Sequence, residues 1–151
     1  MNPLESAAEY ELYVYGLPIA RDSIRQSTLV VARLGATVAR VTGELRFERD
    51  ARLVVWEHVQ FGEAGRIVQY GYEVWRGEKQ SYWYDSQPHP GEPSLQATHP
   101  HHKHVSPDIN HNRIPAPGLS FSRPNLDRLI EEIEAVVGEG GVFPNLPPHG
   151  S

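Results

Sequence analysis

The stretch LVVWEHVQFGEAGRIVQYGYEVWRGEKQSYWYD, residues 53–85, decides the fold of this 151-residue chain. Its β-branched and aromatic residues fall in three runs with the composition and alternation typical of strands. The three runs are residues 53–61, 67–76 and 79–85. A four-residue loop at 62–65 and a two-residue turn at Gly77-Glu78 separate them, and a glycine at the first central position suits a type II′ hairpin. The stretch therefore predicts an antiparallel meander.

The segments before the meander add strands and a helix. We predict a strand over residues 38–47, joined to the meander by a three-residue loop at 49–51, and another strand over residues 27–34. Asn2 and Pro3 have the residue types of a helix cap and first turn, and they predict a helix over residues 3–15 that ends near Gly16 and Pro18.

The segment after the meander is a proline-broken connector without a regular period, up to a second helix that begins at residue 122 and runs to about residue 137. Its apolar residues recur at helical spacing. The expected fold class is α+β: an antiparallel β-meander sheet of four to five strands, with an N-terminal helix and a C-terminal amphipathic helix packed on one face. We predict a single domain over residues 1–138 and a flexible C-terminal tail over residues 139–151.

Composition narrows the function classes. The formal net charge of −5 argues against sequence-blind adhesion to nucleic acid or anionic membranes, although a local cationic site remains compatible with it. The chain has no cysteine, so it has neither a disulfide framework nor a thiolate zinc site. No apolar run approaches the roughly 18 residues of a membrane span, and no secretory signal is visible. We expect a cytoplasmic protein.

Strand parity places a carboxylate on an apolar face. Glu57 alternates with Leu53, Val55, Val59 and Phe61 along its strand. An ionised carboxylate on such a face costs several kcal/mol unless it is paired or protonated. Glu57 is therefore either a structural acceptor for a tyrosine hydroxyl or part of a polar cleft floor.

The expected loop lengths determine which residues of the adjacent strands lie opposite Glu57. They predict one row of residues that crosses three strands, Glu57, Tyr70 and Asp85, with Gly43 beside Glu57 on the fourth. The same register predicts Val68, Tyr70, Tyr72 and Val74 on a single face.

The segment from Tyr82 to Val105, YWYDSQPHPGEPSLQATHPHHKHV, holds five of the eight histidines. Histidine serves as acid, base or metal ligand near neutral pH. If residues 101–105 are extended, His102 and His104 share a face; if they form a helical turn, His101 and His104 are paired. Such a pair could be an open metal site with Asp85 or Glu57, a metal-free acid–base pair, or a solvated histidine-rich loop.

Four of these segments together resemble the TumE family of toxins from toxin–antitoxin systems. The resemblance rests on LVVWEHV, YGYEVW, SYWYDSQPH and THPHHKHV, and it runs from about residue 43 to residue 105 and loosely into the C-terminal helix. Trp83 departs from the family, which usually has arginine before Tyr84-Asp85. The resemblance implies a small toxin that is encoded beside a helix-turn-helix antitoxin and acts on RNA.

The resemblance and the parity argument select the same residues, and together they predict a metal-independent, ribonuclease-like toxin. The catalytic set is His102, Lys103, His104, His89, Glu57, Asp85 and Tyr72, and the binding set is Tyr70, Tyr84, His101 and Trp83. His102 and His104 would exchange protons with the 2′-hydroxyl and the leaving oxygen, Lys103 would stabilise phosphate charge, and His89 could replace either histidine. The carboxylates and Tyr72 would orient them.

We assign no cofactor and no metal to this site, and we leave the oligomeric state open. Two alternatives remain. One is a non-catalytic protein-binding module, in which the histidine segment and the acidic row form a docking surface. The other is a metal-dependent hydrolase that uses the same histidines.

Overall fold

The structure is a computed structural model that describes residues 2–86, 102–104, 113–115 and 119–138. It contains one 3₁₀ turn (Pro3–Glu5), two helices and eight strands. The helices are α1 (Ala7–Ala20) and α2 (Leu126–Gly138). The strands are β1 (Gln26–Ser27), β2 (Val30–Arg33), β3 (Val38–Arg46), β4 (Ala51–Gln60), β5 (Arg66–Arg76), β6 (Lys79–Asp85), β7 (His102–His104) and β8 (Arg113–Pro115).

All eight strands form one antiparallel sheet, in the order β1-β3-β4-β5-β6-β7-β8, with β2 also paired to β3. The α+β class and the central meander are therefore confirmed. The sheet is wider than the four to five strands that the sequence predicts. Short strands at both edges account for the difference, and β8 lies in the segment that we expected to be an irregular connector.

The N-terminal helix is longer than the sequence predicts. Asn2 caps only the 3₁₀ turn, and the Ser6 hydroxyl accepts a hydrogen bond from the Glu9 amide at the start of α1. The helix then continues through Gly16 and Pro18 to Ala20. Buried apolar residues on this helix, among them Val14, bind it to the core, so tertiary packing outweighs the local helix breakers.

The strand expected over residues 27–34 is divided into β1 and β2. Both keep one register against β3, but Thr28 and Leu29 between them pass close above Gly43. Gly43 has a φ of +130°, and a Cβ at this position would collide with the Thr28 carbonyl. Glycine is thus required here both by backbone conformation and by the close approach of the edge segment.

The C-terminal helix begins at Leu126, four residues later than expected, because the preceding residues make tertiary contacts instead. The Asn125 side chain bonds both the amide and the carbonyl of Ser120. The buried stripe of α2 is Leu126, Leu129, Ile130, Ile133 and Val137. Neither α1 nor α2 is long and apolar enough to cross a membrane.

Both helices pack on the same side of the sheet, which we call the covered face; the other side is the open face. Residues of the covered face are buried in alternation along β3, β4 and β5. The predicted parity of Leu53 and Val55 is confirmed, since both are buried on this face, together with Val41 and Leu45 of β3. The Phe47 amide donates to the Ala51 carbonyl just beyond the end of β3, so the three-residue loop covers residues 48–50 rather than 49–51.

The register of the sheet differs from the prediction at three places. Val41, not Gly43, lies opposite Glu57. Glu57 does pair with Tyr70, but a bulge beside Val59 places Ile67 rather than Val68 on the covered face. A second bulge, between Val74 and Trp75, shifts β6 by one residue.

This second bulge overturns the predicted acidic row. Asp85 pairs with Gly71, and Tyr84 pairs with Tyr72. The hydroxyl of Ser86, not the carboxylate of Asp85, approaches the Tyr70 backbone, and it accepts a hydrogen bond from the Tyr70 amide at 3.0 Å.

Candidate functional site

The predicted site residues divide between the two faces of the sheet. Glu57, Tyr70, Tyr72 and Tyr84 are buried on the covered face. Trp83 and Asp85 are half-buried and alternate with the buried tyrosines of β6. The sheet therefore separates two groups that the sequence analysis treats as one site.

Glu57 lies in the core rather than on the floor of an open cleft, with 0% of its surface exposed. Tyr10 of α1 donates a hydrogen bond to its Oε1 at 2.5 Å, and Tyr72 of β5 donates one to its Oε2 at 2.5 Å. The Asn125 amide in turn donates to the Tyr72 hydroxyl at 3.1 Å. We call these four residues the Glu57 network; it connects α1, β4, β5 and the segment before α2.

Burial controls the protonation of this network. Desolvation raises the pKa of the Glu57 carboxyl above its ordinary value, and the hydrogen bonds from Tyr10 and Tyr72 oppose that rise. Desolvation, followed by the nearby Glu57 charge, raises the pKa of both tyrosines far above its ordinary value. Both hydroxyls therefore keep their protons and remain hydrogen-bond donors to the carboxyl group.

Tyr70 and Tyr84, which we predicted to bind substrate, pack inside the core. The Tyr70 ring stacks on the Tyr72 ring, with their centroids 4.8 Å apart. The Tyr84 hydroxyl donates to both oxygens of Glu132 on α2, at 3.1 and 2.8 Å. In this arrangement the rings hold α2 against the sheet, and their faces are not available for stacking on a base.

The open face carries Trp83 and Asp85, and the register of β7 places the positions of His102 and His104, but not that of Lys103, in the same rows. The Trp83 indole N–H donates to Asp85 Oδ2 at 3.3 Å, so both side chains lie on the same face. Strand β7 pairs with β6 so that His102 lies opposite Asp85, Lys103 opposite Tyr84, and His104 opposite Trp83. The backbone at 102–104 is thus extended, as in the first of the two alternatives for this segment.

Some of the predicted site residues lie in parts of the chain that the structure does not describe. His89 and His101 lie outside the described residues, as do the tail at 139–151 and most of the histidine segment. Within the described residues, no three histidine or acidic side chains are arranged to hold a metal ion. The metal-dependent alternative is therefore a question for experiment.

The open face also carries all three tryptophans of the chain. Trp56 is 37% exposed, and the Arg52 guanidinium lies 4.8 Å from the centroid of the Trp75 ring. Arg46 and Arg52 both pair with Glu44 on this face, at 3.2 and 3.3 Å. Aromatic rings interspersed with arginines are the groups that bind single-stranded nucleic acid.

Sequence reasoning missed three residues that the geometry makes prominent. Tyr10 and Asn125 complete the Glu57 network, but they lie far from Glu57 in the chain and carry no local motif. Trp56 precedes Glu57, and the same parity that places Glu57 on the covered face places Trp56 on the open face. This last residue could have been found from the sequence.

A central meander, helices on one face and a histidine strand paired to Asp85 characterise a small α+β protein in which no described helix covers the second face of the sheet. The family model Toxin TumE matches residues 17–137, and the chain belongs to this family. Comparisons with curated proteins and with solved structures find no match.

Family membership confirms the resemblance seen in the sequence and extends it from the last turn of α1 to α2. It indicates the toxin component of a toxin–antitoxin system, and a toxin of this kind implies an antitoxin as its partner.

Proposed function

We propose that this toxin is a metal-independent ribonuclease whose reaction takes place on the open face of the sheet. The observation that carries the proposal is the register of β7, which sets His102 opposite Asp85 and His104 opposite Trp83. Directly paired positions of an antiparallel ladder belong to the same face. Two histidine positions and a carboxylate thus occupy adjacent rows of one surface.

The chemistry needs an acid and a base on the two sides of a phosphate. One histidine removes the proton of the 2′-hydroxyl, and the 2′ oxygen attacks phosphorus. The bond from phosphorus to the 5′ oxygen breaks as the other histidine protonates that oxygen. The products are a 2′,3′-cyclic phosphate and a 5′-hydroxyl end, with no metal or cofactor consumed.

Asp85 positions His102 in this scheme. A carboxylate beside an imidazole fixes its tautomer and stabilises the charged form. Trp83, which replaces the usual arginine, still supplies one N–H donor to Asp85. The hydrogen bond is retained and the positive charge is lost, so we expect Trp83→Phe to reduce activity and Trp83→Arg to preserve it.

The remaining predicted residues have other roles in the proposed reaction. Lys103 alternates with the histidines along β7 and lies opposite Tyr84, so its role in stabilising the reacting phosphate stays a prediction. Arg52 and Arg46 lie on β4 and β3, three and four strands from β7, and we assign them to phosphates further along the RNA. Glu57 and Tyr72 act through the rigidity of the sheet rather than by contact with substrate. His89 as a substitute acid or base stays a prediction.

The first test measures growth and total RNA together during tightly controlled expression. The wild type should arrest growth and degrade RNA, and the His102→Ala/His104→Ala double variant should do neither. His58→Ala is the matched control, because His58 is another histidine of the open face, opposite Arg40 and Gln69 and away from β7. Arrest that survives the double substitution refutes the catalytic assignment.

The metal question has its own test on purified protein. Cleavage of single-stranded RNA that is unaffected by EDTA, with a 2′,3′-cyclic phosphate on the product, supports the metal-free mechanism. Activity lost with EDTA and restored by a divalent cation supports the metal-dependent alternative instead.

We further propose that the antitoxin is a helix-turn-helix protein and that both act in the cytoplasm.

A non-catalytic binding role is the second candidate, and the exposed apolar side chains favour it. Three of the six large hydrophobic side chains exposed in the described residues, Leu12, Tyr15 and Ile19, form an apolar patch on one side of α1. Such a patch is typical of a protein-binding surface. In this role Leu12→Ser/Ile19→Ser abolishes the complex with the antitoxin, and no variant affects RNA.

A further inference from the structure

Gly71 lies on the open face in β5, the middle strand of the sheet, and its two cross-strand neighbours have side chains suited to ligand binding. It pairs with Trp56 of β4 on one side and with Asp85 of β6 on the other. Within the described residues, no heavy atom lies within 4 Å of a Cβ built on Gly71. No described side chain, that of Trp56 included, therefore fills the space directly above Gly71, which we call the notch.

The backbone does not require glycine at this position. Gly43, Gly62 and Gly77 have positive φ values, whereas Gly71 is not among the positive-φ glycines. Packing does not require it either, since a Cβ has room. Glycine weakens a strand interior, and the close approach of a ligand is one of the reasons for which it is found there.

The spacing of neighbouring strands suits a ring stacked beside Trp56. Neighbouring strands lie about 4.8 Å apart, so a planar ring above Gly71 would be about that far from the Trp56 column. Aromatic rings stack with centroids about 4.5–7 Å apart. Trp56, which is 37% exposed and pairs with Gly71, would supply the surface on which such a ring stacks.

We propose that this notch binds a nucleobase of single-stranded RNA, stacked on Trp56, next to the phosphate that the histidines attack. The inference rests on the proposed ribonuclease function and names where its substrate binds. Asp85 connects the two parts, because it lies opposite Gly71 on one side and opposite His102 on the other. The base would thus occupy the position two strands from the reacting phosphate.

The test measures binding separately from cleavage. The probe is an RNA of about ten nucleotides with 2′-O-methyl groups throughout, which cannot form the attacking oxygen. Gly71→Val fills the notch with a side chain that favours strands, and Trp56→Ala removes the stacking surface. Each should weaken binding about 5- to 150-fold, the loss expected for one stacked base.

Two control variants isolate the notch. Trp56→Phe keeps a ring and should keep most of the affinity, with less quenching of indole fluorescence on binding. Gly35→Val makes the same substitution in the β2–β3 turn, where a Cβ also meets no described atom within 4 Å, and it should bind as the wild type does.

The outcomes separate this inference from the proposed function. Unchanged affinity in Gly71→Val and Trp56→Ala, in protein that still cleaves RNA, overturns the notch and leaves the nuclease. A wild type that neither cleaves RNA nor binds the probe overturns both. Binding that requires Gly71 and Trp56, without cleavage, supports the notch and overturns the nuclease.

Discussion

The pH dependence of stability should report directly on the buried carboxyl of Glu57. An exposed glutamate in the unfolded chain has a pKa near 4.3, and burial raises the pKa of Glu57 in the folded state. The folded state therefore binds this proton more tightly than the unfolded state does. The contribution of Glu57 to stability is largest below about pH 4.3 and is lost as the pH rises through the folded-state pKa.

The magnitude follows from the shift. Each unit by which the folded-state pKa is raised lowers the free energy of unfolding by about 1.4 kcal/mol once the carboxyl is ionised. Glu57→Gln removes the charge but keeps an acceptor for one tyrosine and a donor for the other. We expect the free energy of unfolding of this variant to match that of the wild type near pH 4.3 and to be higher than that of the wild type at pH 8.

Tyr10→Phe should act in the opposite direction. It removes a hydrogen bond to the carboxylate, which is worth about 1.5–3 kcal/mol when the group is ionised, and it should raise the Glu57 pKa further. The decrease in unfolding free energy caused by Tyr10→Phe should therefore be larger at pH 8 than at pH 4.3. Tyr15→Phe is the control on the same helix, since the Tyr15 hydroxyl bonds the Val31 amide rather than a carboxylate.

Urea unfolding at a series of pH values between 4 and 8 measures these differences. The reasoning is refuted if Glu57→Gln loses stability relative to the wild type as the pH rises. That result would mean that the hydrogen bonds from Tyr10 and Tyr72 outweigh desolvation and that the folded-state pKa is lowered.

Four other predictions concern stability. Gly43→Ala should cost more than about 2 kcal/mol of unfolding free energy, whereas Gly35→Ala, with open space around its Cβ, should cost little. Arg21→Met removes two ion pairs to carboxylates of α2 and should cost roughly 1 kcal/mol, less at high salt. Ile133→Ala empties a fully buried site and should cost about 2–5 kcal/mol. Deletion of residues 139–151 should leave the thermal midpoint unchanged.

The outcome for Glu57 and Tyr70 illustrates what hydrophobic alternation can and cannot predict. The pairing of these two residues is right, although the prediction assumed a four-residue loop and a regular ladder. The structure has a longer loop and a bulge beside Val59, and the two deviations cancel. On β6 a bulge has no such compensation, so Asp85 moves to the open face. Neither bulge carries a glycine or proline that would mark it in the sequence.

The roles of Tyr10 and Asn125 in the Glu57 network could not be predicted from the sequence, for a different reason. Parity indicates that a carboxylate on this face needs donors, and it does not say which residues supply them. Tyr10 is 47 positions from Glu57, and Asn125 is 53 positions from Tyr72. Only the packing of both helices on the covered face brings these side chains together, and that packing is decided by the whole chain.

The position of α2 has a consequence for biosynthesis. The covered face is closed by residues 126–137, which are translated after every strand of the sheet. Until they leave the ribosome, the meander exposes its apolar residues, and the Glu57 network lacks Asn125. A nascent chain stalled before residue 126 therefore presents an incomplete core to chaperones and proteases. The toxin would acquire its folded form, and any activity that depends on it, only late in its own translation.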